Sequence, residues 1–121
     1  MNLPSFPAPS LLLVEDNPMD LDLTLRAFER KRFSNRIDVA RDGEEALAFM
    51  ERWDAGEAPP AVILLDINLP KVNGLEVLRQ LKEHPRHRRI PVVMLTSSRE
   101  DRDLLAAYDL GVNSYIEKPV S

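Results

Sequence analysis

The sequence predicts an α/β domain built on a doubly wound, five-stranded parallel sheet, and three observations carry that expectation. Leu11-Leu12-Leu13-Val14, Val62-Ile63-Leu64-Leu65 and Val92-Val93-Met94-Leu95 are short and apolar at every position, as strands of a parallel sheet buried on both faces are. Amphipathic helical patterns lie between them, and strand–helix alternation favours parallel pairing with crossovers. Each run also ends abruptly in polar residues: Glu15-Asp16, Asp66 and Thr96-Ser97.

Residues 1–10 carry Pro4, Pro7 and Pro9 among small neighbours, a composition expected of an extended arm. The first strand is Leu11 to Val14. Asn17-Pro18 then places a capping side chain before a proline at the first helical position. Leu21, Leu25 and Phe28 follow at i, i+4 and i+7, one apolar stripe. Ile37-Asp38-Val39-Ala40 is a shorter, more polar strand, suited to a sheet edge. Asp42-Gly43-Glu44-Glu45 resembles a capping box opening a second helix, with Ala46, Met50 and Trp53 inward and Phe49 also in its core.

Pro59-Pro60 ends that connection ahead of the third strand. Asn73-Gly74 opens a third helix in which Leu75, Leu78 and Leu81 share a face, and Pro85 marks its end. His84-Pro85-Arg86-His87-Arg88-Arg89 is the one basic cluster, read as a solvated helix-to-strand connection. After the fourth strand, Ser98 is a cap for a fourth helix in which Leu104, Tyr108 and Gly111 recur, Gly111 being its stop. Ser114-Tyr115-Ile116 is the fifth strand.

Right-handed crossovers with sheet order 2-1-3-4-5, the flavodoxin-like arrangement, put the first helix on one face and the other three on the opposite face. A fifth helix is expected after Val120-Ser121 and is not in this sequence. Residues 11–121 therefore read as a domain lacking its final helix. A bare patch of about 400 Å² would forgo about 10 kcal/mol at ~25 cal/mol per Å². The expectation is a longer native polypeptide or a second subunit over that face, hence a possible homodimer.

At 121 residues the chain is one domain. A net charge of −4 offers no global attraction to nucleic acid or anionic lipid, and no nucleic-acid or membrane partner is expected. There is no cysteine, so no disulfide framework or thiolate metal site, which suits a cytoplasmic location. No apolar run is long enough to span a bilayer, and the start lacks the parts of a signal peptide.

In a parallel sheet the carboxyl ends of neighbouring strands converge on one crevice. Glu15, Asp16, Asp66, Thr96 and, beyond the fifth strand, Lys118 would meet there. A like-charged pair at ~4 Å costs about 4 kcal/mol at an effective dielectric of 20. A hard divalent cation reverses that sign, and carboxylates with a backbone carbonyl, which Asn68 could supply, are how Mg2+ is usually held. Each residue has a plainer alternative: Glu15-Asp16 as a solvated turn, Asp66 before turn residues, Thr96-Ser97-Ser98 as a helix cap, Lys118-Pro119 as a surface lysine. Four such coincidences at the strand ends of one sheet are harder to accept.

Glu15-Asp16, Asp66, Thr96 and Lys118-Pro119, with Asn68, Pro70, Gly74 and Tyr115 between them, resemble the receiver domain of two-component response regulators from about Leu11 to Val120. The resemblance implies that Asp66 accepts a phosphoryl group from a phosphohistidine of a sensor histidine kinase. It implies that Glu15, Asp16, Asp66 and the Asn68 carbonyl hold Mg2+, that Thr96 and Lys118 bind phosphoryl oxygens, and that the Lys118–Pro119 bond is cis. Tyr115, with Thr96, would be the aromatic switch. Such a domain catalyses only its own phosphorylation and dephosphorylation. The pattern is similar to the small single-domain receivers that serve phytochrome-type histidine kinases.

A haloacid-dehalogenase-type phosphatase also uses a strand-end Asp, but its second acid would stand where Asn68 is. A flavodoxin-like electron carrier needs a phosphate loop where Glu15-Asp16 would repel phosphate. An inert pseudo-receiver would not need Asp66, Thr96 and Lys118 together. Output would run through surface contacts or through a phosphate-shuttle role.

Overall fold

The computed structural model describes residues 9–96 and 101–118. Its elements alternate as β1 (Leu11–Val14), α1 (Pro18–Arg30), β2 (Ile37–Ala40), α2 (Gly43–Asp54), β3 (Val62–Asp66), α3 (Gly74–Glu83), β4 (Val92–Thr96), α4 (Asp101–Asp109) and β5 (Ser114–Glu117). All strands pair in parallel in the order β2-β1-β3-β4-β5. The flavodoxin-like topology expected from the alternation is the one observed.

Local chemistry sets the helix starts. Asn17 Oδ1 accepts the N–H groups of Met19 at 2.9 Å and Asp20 at 3.1 Å, with Pro18 at the first helical position. Asp42 Oδ1 accepts the Glu45 N–H at 2.8 Å. The return arm of this capping box differs from the usual form, because Glu45 Oε2 accepts the N–H of Arg41 rather than that of Asp42. Asn73 caps α3 through the Leu75 N–H at 2.7 Å. Gly111 ends the turn after α4 at φ +97, a left-handed conformation in which a glycine carries no steric cost.

Alternation along the central strands divides the core between the two sheet faces. Leu12, Val14, Ile63, Leu65, Val92 and Met94 pack beneath α2, α3 and α4, whereas Leu11, Leu13, Leu64 and Leu95 pack beneath α1. Leu21 is buried in the second cluster, with Leu25 and Phe28 partly buried against it. Among the described residues the α1 face thins toward β4 and β5: Val93 is only partly buried, and Ile116 is 40% exposed.

Several packing expectations need correction. On α3 Leu75, Leu78 and Leu81 do pack on one cluster as expected, Leu75 only partly buried, and Val77 joins them fully buried. On α4 Ala107 is buried in the core cluster and Tyr108 is exposed, while the side chain of Leu104 lies outside the described residues. Phe49 lies at the margin, with the Arg52 guanidinium 4.6 Å over its ring, whereas Trp53 is buried. The basic cluster is solvated at Pro85, Arg86, Arg88 and Arg89, as expected, but not throughout. His87 is buried, and Asp54 at the end of α2 accepts from the side chains of His84 at 3.0 Å, Arg86 at 3.0 Å and His87 at 2.8 Å. The hydrogen bond with His87, reinforced by the neighbouring His84 and Arg86, holds the Asp54 carboxyl below its ordinary value. Ser98 and Pro119, and with Pro119 the proposed cis bond, lie outside the described residues.

Candidate functional site at the carboxyl ends of the strands

Each chemistry-bearing residue is delivered by the end of a strand. Glu15 follows β1, its N–H donating to Ala40 O on β2 at 3.0 Å. Asp66 is the last residue of β3, in register with Leu95 of β4. Thr96 ends β4, and the Lys118 N–H donates to its carbonyl at 2.8 Å, so the backbone ties the last two positions together. Carboxylate oxygens of Glu15, Asp16 and Asp66 all lie within 4.8 Å of one another. Glu15 and Asp66 are buried and Asp16 is exposed, which leaves one open side.

The Lys118 ammonium stands among these acids. Its three donors are matched by three acceptors, Glu15 Oε1, Asp66 Oδ2 and Asp20 Oδ2, each at 2.9 Å. Backbone donors orient the opposite oxygens: the Asn68 N–H reaches Asp66 Oδ1 at 3.0 Å, and the Asn17 N–H reaches Glu15 Oε2 at 3.3 Å. Burial, reinforced by Asp66, pushes the Glu15 carboxyl up to about 7 against the opposing pull of Lys118. Burial alone would lower the Lys118 ammonium, but its three carboxylates outweigh that and hold it above its ordinary value.

The loop after β3 is held close to the site by two small residues. A Cβ on Gly74 would lie 2.1 Å from the Asp66 carbonyl oxygen, and one on Gly43 would lie 2.0 Å from the Val72 carbonyl oxygen. The Gly74 N–H donates to Ile67 O at 3.0 Å. Only a residue without a side chain lets α3 begin this near the backbone of Asp66. Lys71 turns the loop at φ 67, and its ammonium pairs with Asp42 at 3.3 Å.

The structure thus gathers Glu15, Asp16, Asp66, Thr96, Lys118 and, at the loop edge, Asn68. Tyr115 lies in register with Met94 and is 45% exposed. Asp20 was missed from sequence, where a first-turn acid reads simply as favouring the helix macrodipole. A donor set of hard oxygens, two of them buried, fits a small divalent cation. The cluster would be repulsive with Lys118 as its sole compensation.

A buried strand-end carboxylate beside a lysine, with further acids on its open side, fits a phosphoryl-accepting α/β signalling domain. The chain belongs to the response regulator receiver domain family, whose pattern matches residues 11–121. It is 50% identical over 112 residues to the probable methanogenesis regulatory protein FilR2 of Methanothrix harundinacea, covering 92% of this chain and 72% of that one. Among solved structures it resembles the bacteriophytochrome response regulator AtBRR, with 52% identity, a TM-score of 0.83, and 93% and 84% of the two chains covered. It also resembles the Mn(2+)-bound form of response regulator Rcp1, with 39% identity, a TM-score of 0.84, and 92% and 81% covered. The chain is a receiver of two-component signal transduction, a signalling domain. Among the described residues no helix is long and apolar enough to cross a membrane.

Proposed function

We propose that Asp66 is the phosphoryl acceptor. The observation that carries this reading is the position of its carboxylate, buried at the end of the central strand, 2.9 Å from Lys118 and beside Glu15 and Asp16. An Asp66 oxygen attacks the phosphorus of a phosphohistidine on a sensor kinase. The P–O bond forms as the P–N bond breaks, and the imidazole leaves with its electron pair. Phosphoryl transfer asks little of a protein beyond positioning and neutralising charge on the equatorial oxygens. Lys118 supplies one full positive charge. Thr96, held beside Lys118 by the backbone, offers a hydroxyl to a phosphoryl oxygen.

Glu15, Asp16, Asp66 and the Asn68 carbonyl would hold Mg2+, which when bound neutralises phosphoryl charge. The Mn(2+)-bound Rcp1 relative supports a divalent ion in this pocket. The product is an acyl phosphate, and water attacking its phosphorus returns the carboxylate and inorganic phosphate. That self-limited dephosphorylation makes the mark transient. Movement of Thr96 toward the phosphoryl group would open space for the Tyr115 ring, coupling the site to the surface around β5.

The likeness to AtBRR supports a phytochrome-type histidine kinase as the partner. A cytoplasmic site of action follows from such a partner. The thinly covered α1 face supports a receiver domain spanning residues 11–121, after the Pro-rich arm of residues 1–10, with its sheet completed by a final helix or by a second copy.

The test is labelling by acetyl phosphate with and without Mg2+. The parent chain should acquire an acid-labile phosphoryl group only with the metal, and Asp66→Asn should acquire none. Full labelling of Asp66→Asn would overturn the assignment.

A further inference from the structure

We propose that Asp20 is a positioning residue for phosphoryl transfer, acting by fixing the Lys118 ammonium over Asp66. The inference rests on the reading of Asp66 as acceptor and adds a residue outside the acid cluster of Glu15, Asp16 and Asp66.

Asp20 occupies the third position of α1, where an acidic side chain commonly folds back onto the backbone N–H of the capping residue. Here that N–H, from Asn17, donates to Glu15 Oε2 instead. The Asp20 carboxylate turns away from its own helix terminus and accepts from Lys118 Nζ at 2.9 Å, across 98 residues of sequence. It is the one partly open member of the tripod, its side chain 27% exposed against 0% for Glu15 and 3% for Asp66.

An ammonium has three donors on a flexible stem. Two of those donors lie on Glu15 and Asp66, and both groups change role in the reaction, Asp66 by becoming an acyl phosphate and Glu15 by belonging to the acid pocket. Asp20 has neither role. It can keep its bond to Lys118 through the reaction, so that Nζ turns a freed donor onto a phosphoryl oxygen rather than following the stem into solvent.

The consequence is specific to geometry rather than to charge. Asp20→Ala removes the acceptor, whereas Asp20→Asn keeps a carbonyl oxygen in its place. With acetyl phosphate and saturating Mg2+, Asp20→Ala should lower the maximal phosphorylation rate about tenfold, with the half-saturating donor concentration little changed, as expected for loss of one charge-assisted positioning bond. Asp20→Asn should recover most of that rate. Affinity for fluoroberyllate, a phosphoryl mimic, read by Tyr115 fluorescence, should fall in parallel for Asp20→Ala. In a Lys118→Ala background, Asp20→Ala should change neither quantity, because the residue through which it acts is gone.

Phosphorylation of Asp20→Ala at or above the parent rate would overturn the proposal, since a merely repulsive carboxylate near an incoming anion predicts acceleration. An equal loss in the Lys118→Ala background would also overturn it, assigning Asp20 a role in the stability of α1. If the parent itself failed to label on Asp66, the acceptor reading would fall first, and this inference with it.

Discussion

Replacing Lys118 by methionine keeps the stem and removes the charge. In the native site the ammonium sits 2.9 Å from each of three carboxylate oxygens. At an effective dielectric of 20 each attraction is about 6 kcal/mol, set against the desolvation of a side chain that is itself almost fully buried. The net cost of leaving buried carboxylates without their partner is about 3–5 kcal/mol. That is a large share of the stability of a domain this size. Lys118→Met in excess chelator should therefore unfold in urea at a clearly lower midpoint than the parent, with an unchanged slope. Carboxylates freed of the ammonium remain competent to hold a divalent cation. Mg2+ at about a hundredfold excess over its dissociation constant should thus return about 2.7 kcal/mol to the variant. If the variant matched the parent in chelator, the ammonium could not be the group that offsets the acid cluster. If Mg2+ did nothing for it, the three acids would not be a cation site.

Gly74→Ala pits a helix-propensity gain of about 1 kcal/mol against a Cβ placed 2.1 Å from the Asp66 carbonyl oxygen. Overpacking of about 1–3 kcal/mol should prevail, and a shift of Asp66 by about 1 Å should slow phosphorylation on the order of a hundredfold. Parent-like stability and labelling would show that the loop accommodates a methyl group freely. Because Asp54 is held below its ordinary carboxyl value by His87, His84 and Arg86, its stabilising contribution is complete above that ordinary value and is lost as pH falls through the depressed one. Asp54→Asn should accordingly flatten the acid limb of a stability–pH curve, and an unchanged limb would show that the histidine cluster does not couple to folding. Finally, sedimentation of the 121-residue chain at micromolar concentration should reveal self-association or dye-binding apolar surface at the thin face around Val93 and Ile116. A cooperatively unfolding monomer without such surface would mean that the face is closed some other way.

Sequence alone determined the β–α alternation, the strand order, the three capped helix starts and the crevice where Glu15, Asp16, Asp66, Thr96 and Lys118 meet. These features have local signatures: uninterrupted apolar runs, an Asn or Asp before a helix, a polar residue that ends a buried strand. Parallel topology then carries strand-end residues to one edge with no further information. Only the tertiary structure decided which side chains touch. It showed that Ala107 is buried in the core cluster and Tyr108 is exposed. It gave His84, Arg86 and His87 a common partner in Asp54, on a helix that precedes them by some thirty residues. It also revealed why residues 43 and 74 are glycines and where the carboxylate of Asp20 points. Such contacts depend on distances between elements remote in the chain. Those distances are set by the packing of the whole core, which no local run of residues specifies.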